Sequence, residues 1–158
     1  MRKLIVDNIL YTDMAKHFAF MGELKALPSK EDYDPTSKHK PDILKALVHA
    51  ADIGNAARPY SVCKEWTFRV LREFFAQGDK ERALDLQISI LCDRKTTNIG
   101  KSQIGFIDFV VFPYFDSLTK ILPRMRYCIE ELQANKDYWT LSVDDYEKQR
   151  LETGNEKI

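Results

Sequence analysis

The order of apolar and polar residues along the chain predicts helices joined by short breaks, and we therefore expect an all-α protein. Apolar side chains occupy every face of the segment 2–24, which contains no proline. This pattern predicts one largely buried helix. Residues 25–41 are polar, contain three prolines and show no period, so they predict a loop.

The helix predicted from about Asp42 carries a carboxylate, Asp52, among small apolar residues near its end. Gly54 supplies a stop, and Pro59 prevents the helix from resuming. A carboxylate carried inward on such a helix is costly unless a cation or hydrogen-bond donors meet it. On this pattern alone, a residue such as Asp52 is more often bonded to its own backbone or to an arginine than to a metal ion.

The second half of the chain predicts further helices. Helical spacing resumes at Arg58 and continues to Gln77, where Gly78 is expected to stop the helix and Asp79 to cap the next turn. Residues 88–100 contain β-branched residues without a helical period, which predicts a connecting segment. The remaining predicted helices run from a Ser102 cap to Pro113, over 114–122 and over 124–135, before a charged segment after Ser142 that frays or extends as a solvated helix.

Composition narrows the functional classes. The chain has 158 residues, with 24 basic and 24 acidic side chains, so a net charge of zero gives no electrostatic case for nucleic acid or an anionic membrane. No apolar run approaches the roughly 20 residues of a membrane-spanning helix, and the early charges do not fit a signal peptide. The three cysteines lack paired spacing, and we expect them to be reduced thiols of a cytoplasmic protein.

A glutamine and an aromatic residue stand three positions apart in one predicted helix. Gln103 and Phe106 therefore share a helix face. The amide offers both a donor and an acceptor and matches adenine or guanine by turning over, while the ring supplies a surface on which a purine stacks. On spacing alone, a helix that buries Phe106 with Gln103 at its margin is the more common arrangement.

The histidines give little sign of a metal site. His49 is three residues before Asp52, but we expect it to be a structural histidine that bonds a backbone carbonyl. His39 lies in the predicted loop and is expected to be solvated.

Several motifs occur in the order found in one enzyme family. They are HAADIGNAARPY, EFFAQGD, CDRKTT, KSQIGFIDFVVFP and, late in the chain, NKDYW. This series resembles the carboxyl-terminal half of a class I cyclic nucleotide phosphodiesterase catalytic domain, up to about Trp139. The resemblance implies a partial, multi-helix catalytic domain over 1–140 and a charged tail over 141–158.

The same resemblance implies a purine pocket. Gln103 matches the glutamine that binds the base, while Phe106 and Val70 match the two apolar jaws that clamp it. The other residues that the resemblance places at the pocket are Met14, Asn55, Trp66 and Leu91. Cys63 stands where relatives that select cAMP often carry a tyrosine that fixes the glutamine. This difference leaves the nucleotide preference open and predicts hydrolysis of both cAMP and cGMP.

The resemblance also implies metal chemistry that this chain does not complete. Family members hold zinc and magnesium (or manganese) through histidines and aspartates, and a further histidine protonates the leaving oxygen. Asp52 matches one metal ligand, and Thr12, in YTDMAKH, matches a residue that faces a metal-bound water. The other ligands and the acid belong to HNxxHAxD-like and HD stretches, which we do not find here. One aspartate cannot hold a zinc ion that prefers about four ligands.

Three functions fit these observations. The first is metal-dependent hydrolysis of cAMP or cGMP to the 5′-monophosphate in signal transduction, with this chain inactive without an amino-terminal half. The second is a pseudo-phosphodiesterase that binds cyclic nucleotide without chemistry. The third is a helical module that docks another chain. An upstream sequence with the missing histidine motifs would favour the first.

Overall fold

The computed structural model describes residues 2–156, and within them the prediction of an all-α protein is confirmed. The eight α-helices are α1 Arg2–Leu10, α2 His17–Ala26, α3 Lys40–Asp52, α4 Tyr60–Ala83, α5 Ile99–Phe106, α6 Phe112–Ile121, α7 Arg126–Leu141 and α8 Val143–Thr153. No strand occurs in these residues.

The core lies where α7 meets α4, α5 and α6. Its largest fully buried side chains include Trp139 of α7, Tyr114 and Leu118 of α6, and Phe75 of α4. Burying such large apolar groups is the main favourable contribution to folding. The packing fixes α4 and α5 relative to each other, and these two helices carry most of the candidate site.

The amino-terminal segment is not the single buried helix that its composition predicts. The chain leaves α1 after Leu10, and the carboxylate of Asp13 accepts a hydrogen bond from the backbone N–H of Ala15 at 2.9 Å, which caps the turn that leads into α2. No residue of α1 is buried, and Ile9 is 62% exposed. The expectation of a largely buried helix over 2–24 is therefore wrong for its first part.

Helix α4 runs through Gly78 instead of stopping there. A Cβ atom at Gly78 would lie 2.0 Å from the carbonyl oxygen of Cys92, so the residue is needed for the close approach of the 84–98 segment. Asp79 does not cap a new turn, and it instead forms an ion pair with Arg94 at 2.6 Å.

Helices α5 and α6 follow each other without a break and are joined by a π-helical turn. This turn spans Ile107–Val111, and Pro113 sits in the first turn of α6, where it does not interrupt the helix. Asn98, rather than Ser102, caps α5, because its side chain accepts from the N–H of Lys101 at 2.9 Å. The Ser102 hydroxyl donates to the carbonyl of Ile99 inside the helix.

The charged carboxyl-terminal segment packs on the body of the protein. Tyr146 of α8 is buried. The side-chain amide of Asn155 donates to the carbonyls of Arg94 and Thr97 at 2.9 and 3.0 Å. Of the two predicted forms, a frayed segment or a solvated helix, the segment after Ser142 is a helix. It packs against the protein, so the expectation that it is solvated is wrong.

His39 is another residue whose surroundings differ from the prediction. It is 5% exposed, and its Nδ1 accepts a hydrogen bond from the N–H of Asp34 at 3.1 Å. Its ring stacks on Tyr33 with the centroids 5.7 Å apart. The expectation of a solvated side chain is wrong because the loop folds back on this ring.

Candidate functional site

One mainly apolar cavity brings together most of the residues that the motifs singled out. Its volume is about 330 Å³, at the small end of the range of about 300–1,000 Å³ that is usual for small-molecule sites. The residues that line it are Met14, Asp52, Ile53, Asn55, Thr67, Val70, Leu71, Phe74, Leu91, Ser102, Gln103 and Phe106.

The amide and the ring that were predicted to share a face do so on α5. Gln103 and Phe106 both line the cavity and are partly buried. The Gln103 Oε1 accepts a hydrogen bond from the Thr67 hydroxyl, with the two oxygens 3.0 Å apart. The cavity therefore presents a hydrogen-bonding amide beside an aromatic surface, which is the arrangement that a flat heterocycle with polar edges requires.

Helix α4 supplies the apolar wall of the cavity. Val70 and Phe74 are four residues apart, and Thr67 and Leu71 occupy neighbouring positions on the same face. Leu71 and Thr67 are almost fully buried. The wall is consequently set by the packing of α4 rather than by a flexible loop.

Leu91 reaches the cavity from the segment between α4 and α5. Its backbone has a φ of 67°, a left-handed conformation that residues other than glycine rarely adopt. The segment is held by hydrogen bonds on both sides of Leu91: Glu81 accepts from the N–H of Ser89 at 2.7 Å, and Arg82 donates to Asp93 at 2.7 Å. These contacts hold the left-handed backbone that places Leu91 at the cavity.

Asp52 lies at the carboxyl end of α3 and borders both this cavity and an adjoining groove. Its side chain is exposed, so the prediction of a carboxylate carried inward is wrong. The helix ends at Asp52, and the following turn over Gly54–Ala57 leaves this face of its last turn uncovered. Within residues 2–156, no cluster of three or more His, Cys, Asp or Glu side chains could hold a metal ion.

His49 is a structural residue, but its partner differs from the predicted carbonyl. Its Nε2 lies 2.9 Å from the Nδ1 of His17, and both rings are fully buried. The ring of Tyr114 contacts both imidazoles, with centroids 4.9 Å from His49 and 5.3 Å from His17. Burial lowers the pKa of both histidines. The two rings thus occupy the core as neutral groups, and His49 is bonded to His17 rather than to a metal ion or a backbone carbonyl.

Two predicted site residues lie outside the cavity. Trp66 is 51% exposed and lines the adjoining groove with Val62 and Arg58, one turn before Val70. The Thr12 hydroxyl donates to the carbonyl of Ile9 at 2.8 Å where α1 ends. Neither residue contributes to the surface around Gln103.

The motif analysis missed several residues that the fold adds to the cavity. These are Ile53, Thr67, Leu71, Phe74 and Ser102. A signal for part of this set is present in the sequence: Thr67, Leu71 and Phe74 recur at intervals of four and three around the already selected Val70. A threonine on the buried face of an amphipathic helix needs a hydrogen-bond partner, and here that partner is Gln103.

Comparison with known proteins identifies the family. Residues 1–132 match the family described as 3′5′-cyclic nucleotide phosphodiesterase. The chain belongs to the 3′,5′-cyclic nucleotide phosphodiesterase family. The match extends over the motifs around Asp52 and Gln103, and so the family resemblance seen in the sequence is confirmed.

Relatives of this phosphodiesterase chain come from several animals. It is 32% identical to 3′,5′-cyclic-AMP phosphodiesterase 4C of Rattus norvegicus over 151 residues, which cover 90% of the chain and 28% of the relative. It is also 32% identical to the probable 3′,5′-cyclic-AMP phosphodiesterase pde-4 of Caenorhabditis elegans, covering 91% of the chain and 23% of the relative. The chain thus spans about a quarter of the length of these curated relatives.

Solved structures share the fold of this phosphodiesterase chain. LmjPDEB1 in complex with IBMX superposes with a TM-score of 0.82 and 28% identity, covering 90% of the chain and 43% of the solved one. The phosphodiesterase domain of Salpingoeca rosetta rhodopsin phosphodiesterase gives a TM-score of 0.81 and 26% identity, covering 94% and 46%. The chain therefore corresponds to less than half of each of these solved chains, and the prediction of a partial multi-helix phosphodiesterase domain is confirmed.

Across the part of the chain that the structure describes, no helix is both long enough and apolar enough to span a membrane.

Proposed function

We propose that this chain forms the purine-binding wall of a cyclic nucleotide phosphodiesterase, and that the complete enzyme hydrolyses cAMP or cGMP to the 5′-monophosphate. The observation that carries the proposal is the pairing of Gln103 and Phe106 on one face of α5, in one cavity with Val70 of α4. The relatives that are named as cyclic-AMP phosphodiesterases support hydrolysis over binding alone.

In this proposal each side chain has a separate role. The amide of Gln103 bonds the polar edge of the base, since it offers both a donor and an acceptor. The ring of Phe106 stacks on one face of the base, and Val70 covers the other. Met14, Asn55 and Leu91 border the same cavity and limit how the nucleotide enters.

Asp52 is proposed as the one metal ligand that this chain contributes. Its exposed carboxylate borders the cavity, so an ion bound there would lie beside the nucleotide. The described residues do not form a metal site by themselves, because a second ligand is absent from this cavity and His49 is bonded to His17. We therefore assign zinc and magnesium (or manganese) to a site that other residues complete, with Thr12 as a candidate contact to a metal-bound water, and derive no chemical step from this chain alone.

The partner that completes the site is proposed to be the remaining part of the catalytic domain. Apolar side chains of α1 and α2 are exposed, among them Ile5 at 51%, Ile9 at 62% and Phe18 at 60%. Ile5 and Ile9 are four residues apart on one face of α1, and an exposed apolar face of this kind marks a surface that binds another protein segment. The free cysteines Cys63, Cys92 and Cys128 support a cytoplasmic location for the protein.

The test is nucleotide affinity measured by calorimetry with cAMP and cGMP, on the complete catalytic domain. Gln103→Ala and Phe106→Ala are each expected to weaken binding by about 1–3 kcal/mol, because they remove a hydrogen bond and a stacking surface. Gln133→Ala and Phe109→Ala are matched controls, since both side chains are exposed and lie outside the cavity. Equal affinity of all four variants and the parent protein for both nucleotides would exclude this cavity as the base site.

A further inference from the structure

The carboxyl-terminal segment, residues 143–155, is bonded to the loop that carries Leu91. The side chain of Asn155 is fully buried, and its amide nitrogen donates to the carbonyl oxygens of Arg94 and Thr97 at 2.9 and 3.0 Å. The Arg94 guanidinium donates in return to the carbonyl oxygen of Asn155 at 3.2 Å. Backbone carbonyls inside a protein need such partners, so the loop depends on Asn155 for two of its backbone hydrogen bonds.

Helix α8 adds two contacts to the same loop. Arg150 donates to the carbonyl oxygen of Lys95 at 2.8 Å, and Glu147 accepts from the side-chain amide of Asn98 at 2.8 Å. Arg150 and Glu147 also bond each other along the helix. Because the side-chain oxygen of Asn98 caps α5, helix α8 is bonded both to the loop and to the first turn of the helix that carries Gln103.

The loop is held from a second direction by α4. The Arg94 guanidinium contacts both carboxylate oxygens of Asp79, with Nε 3.1 Å from Oδ1 and Nη2 2.6 Å from Oδ2. The central carbon of this guanidinium lies 5.3 Å from the centre of the Phe75 ring. A forked contact between charged groups is stronger than a hydrogen bond between neutral groups. Helix α4 and the carboxyl-terminal segment therefore hold the loop at the same residue, Arg94.

This loop reaches the proposed base cavity through Leu91. Leu91 and Ser102 line the cavity, and both also line a groove to which Glu147 and Arg150 contribute. No described residue of the carboxyl-terminal segment lines the cavity itself. The segment also lies beyond residues 1–132, over which the chain matches the phosphodiesterase family. Its effect on the cavity is therefore indirect, and the family match assigns it no role.

We propose that Asn155 is a positioning residue of the nucleotide site, which acts through Leu91 and so sets the affinity for a cyclic nucleotide. The left-handed backbone of Leu91 is unfavourable for a residue with a side chain, and it persists only where surrounding contacts compensate its cost. When the loop loses the contacts of Asn155, Leu91 is free to return to a negative φ, which turns its side chain in another direction. This inference rests on the proposed function, because Leu91 must border the bound base.

The test uses the complete catalytic domain and two readouts. The first needs no nucleotide. It is hydrogen exchange of the Cys92, Thr96 and Thr97 amides, which are bonded inside the loop, and it measures how often the loop opens. The second is the Kd for cAMP and for cGMP by calorimetry, with kcat measured at saturating nucleotide.

Four substitutions separate the proposed role from general destabilisation. Asn155→Gly removes the amide and keeps the backbone, since Asn155 has a left-handed φ of 58° that glycine adopts readily. Arg150→Ala removes a second contact to the same loop. Lys148→Ala is the matched control, because Lys148 lies on α8, is exposed and pairs with Glu152 of its own helix at 3.9 Å. Leu91→Ala shortens the side chain through which Asn155 is proposed to act.

Each variant has a distinct expected result. Asn155→Gly should speed exchange of the three loop amides by about tenfold and leave the amides of α7 unchanged. It should raise both Kd values by roughly threefold to tenfold, because an apolar wall of the site is loosened rather than removed. It should leave kcat unchanged, since the loop carries no proposed metal ligand. Arg150→Ala should act in the same direction, and Lys148→Ala should change neither readout. In a Leu91→Ala background, Asn155→Gly should change Kd by less than about twofold, since both residues act through one contact.

Three outcomes would overturn the inference. The first is exchange as slow in Asn155→Gly and Arg150→Ala as in the parent protein. The second is an equal loss of affinity from Asn155→Gly with and without Leu91→Ala, because Asn155 would then act by another route. The third is a parent protein that binds neither nucleotide, which overturns the proposed function as well, whereas the first two leave it intact. Thermal unfolding followed by circular dichroism identifies any variant that does not fold, and Arg150→Ala decides the matter if Asn155→Gly is one of them.

Discussion

Two imidazoles that face each other in the core, His17 and His49, share one N–H···N contact of 2.9 Å. Their outward nitrogens, Nε2 of His17 and Nδ1 of His49, have no hydrogen-bond partner in the described part of the chain. Burial lowers the pKa of both rings. For His17 the neighbouring His49 adds to this shift while the Val110 carbonyl opposes it, and for His49 the carboxylate of Asp52 opposes it. Protonation of either ring is therefore less favourable in the folded protein than in the unfolded chain.

The first prediction is that acid destabilises the protein through this pair. A histidine whose pKa is lower in the folded than in the unfolded state leaves the unfolded chain with more bound protons below the ordinary value of 6.5. The free energy of unfolding should thus be fully retained above about pH 7 and should fall as the pH drops below about 6.5. Urea unfolding at several pH values measures it.

The double variant His17→Phe, His49→Leu provides the control for this prediction. Replacing both partners by apolar groups leaves no buried donor or acceptor unpaired, so the variant is expected to fold. Its stability should depend less on pH between about 5.5 and 7.5 than that of the parent protein. An unchanged pH dependence would show that other groups cause the loss of stability in acid.

At the level of single residues, the sequence predicted which residues line the cavity better than it predicted their contacts. The motif series led to Gln103, Phe106, Val70 and Asn55, and the structure places all four on one cavity. It did not lead to Thr67, because its partner Gln103 is 36 positions away along the chain. A contact of that range depends on how α4 and α5 pack, and local periodicity carries no information about it.

At the level of elements, helices lie where they were predicted, but the single helix over 2–24 is divided into α1 and α2, and several helix ends were wrong. Helix α4 shows the reason for the wrong ends. Glycine is the residue that most often ends a helix, but α4 continues through Gly78 to Ala83. The 84–98 segment crosses α4 at this position and leaves no space for a side chain. Asn98 and Ser102 show the same limit: both can cap a helix, and only the fold decides which does.

The second prediction concerns this crossing. Gly78→Ala should lower the free energy of unfolding by about 1–3 kcal/mol, because the new methyl group would overlap the Cys92 carbonyl and displace the 84–98 segment. Gly22→Ala is the matched control, since Gly22 lies inside α2 and a Cβ there meets no atom within 4 Å. It should raise stability by about 0.5–1 kcal/mol through helix propensity. Chemical denaturation measures both, and stabilisation by Gly78→Ala would contradict the close approach.

The third prediction follows from the cap of α5. Asn98→Ala removes the acceptor for the N–H of Lys101 and the donor to the carbonyl of Val143. A loss of about 0.5–2 kcal/mol in unfolding free energy is expected from the cap. Ser102→Ala is the comparison, because Ser102 bonds only the carbonyl of Ile99 and should cost less. An equal or larger loss in Ser102→Ala would restore Ser102 as the main cap.

On the scale of the whole molecule, the fold class and the family were predictable from the sequence. Which apolar helix faces are buried and which are exposed was not. Helical spacing in α1 gives Ile5, Ile9 and Leu10 the pattern of core residues, yet each is more than half exposed. Periodicity indicates that a face is apolar and does not indicate what covers it. Because the chain corresponds to less than half of LmjPDEB1 and of the Salpingoeca rosetta phosphodiesterase domain, we propose that the remainder of the domain packs there.

The fourth prediction is that this chain alone does not hydrolyse cAMP or cGMP, and that the segment corresponding to the rest of the domain restores activity when supplied in the same polypeptide or in trans. The chain offers one carboxylate, Asp52, where a divalent cation requires several ligands. It also offers no histidine beside the cavity to protonate the leaving oxygen, because His17 and His49 are buried against each other.

In the restored enzyme, Asp52→Ala should abolish hydrolysis and leave the helical circular dichroism signal unchanged. Asp137→Ala, at an exposed position of α7, should retain the activity. Metal-dependent turnover by the chain alone would show that the site is complete without a second segment.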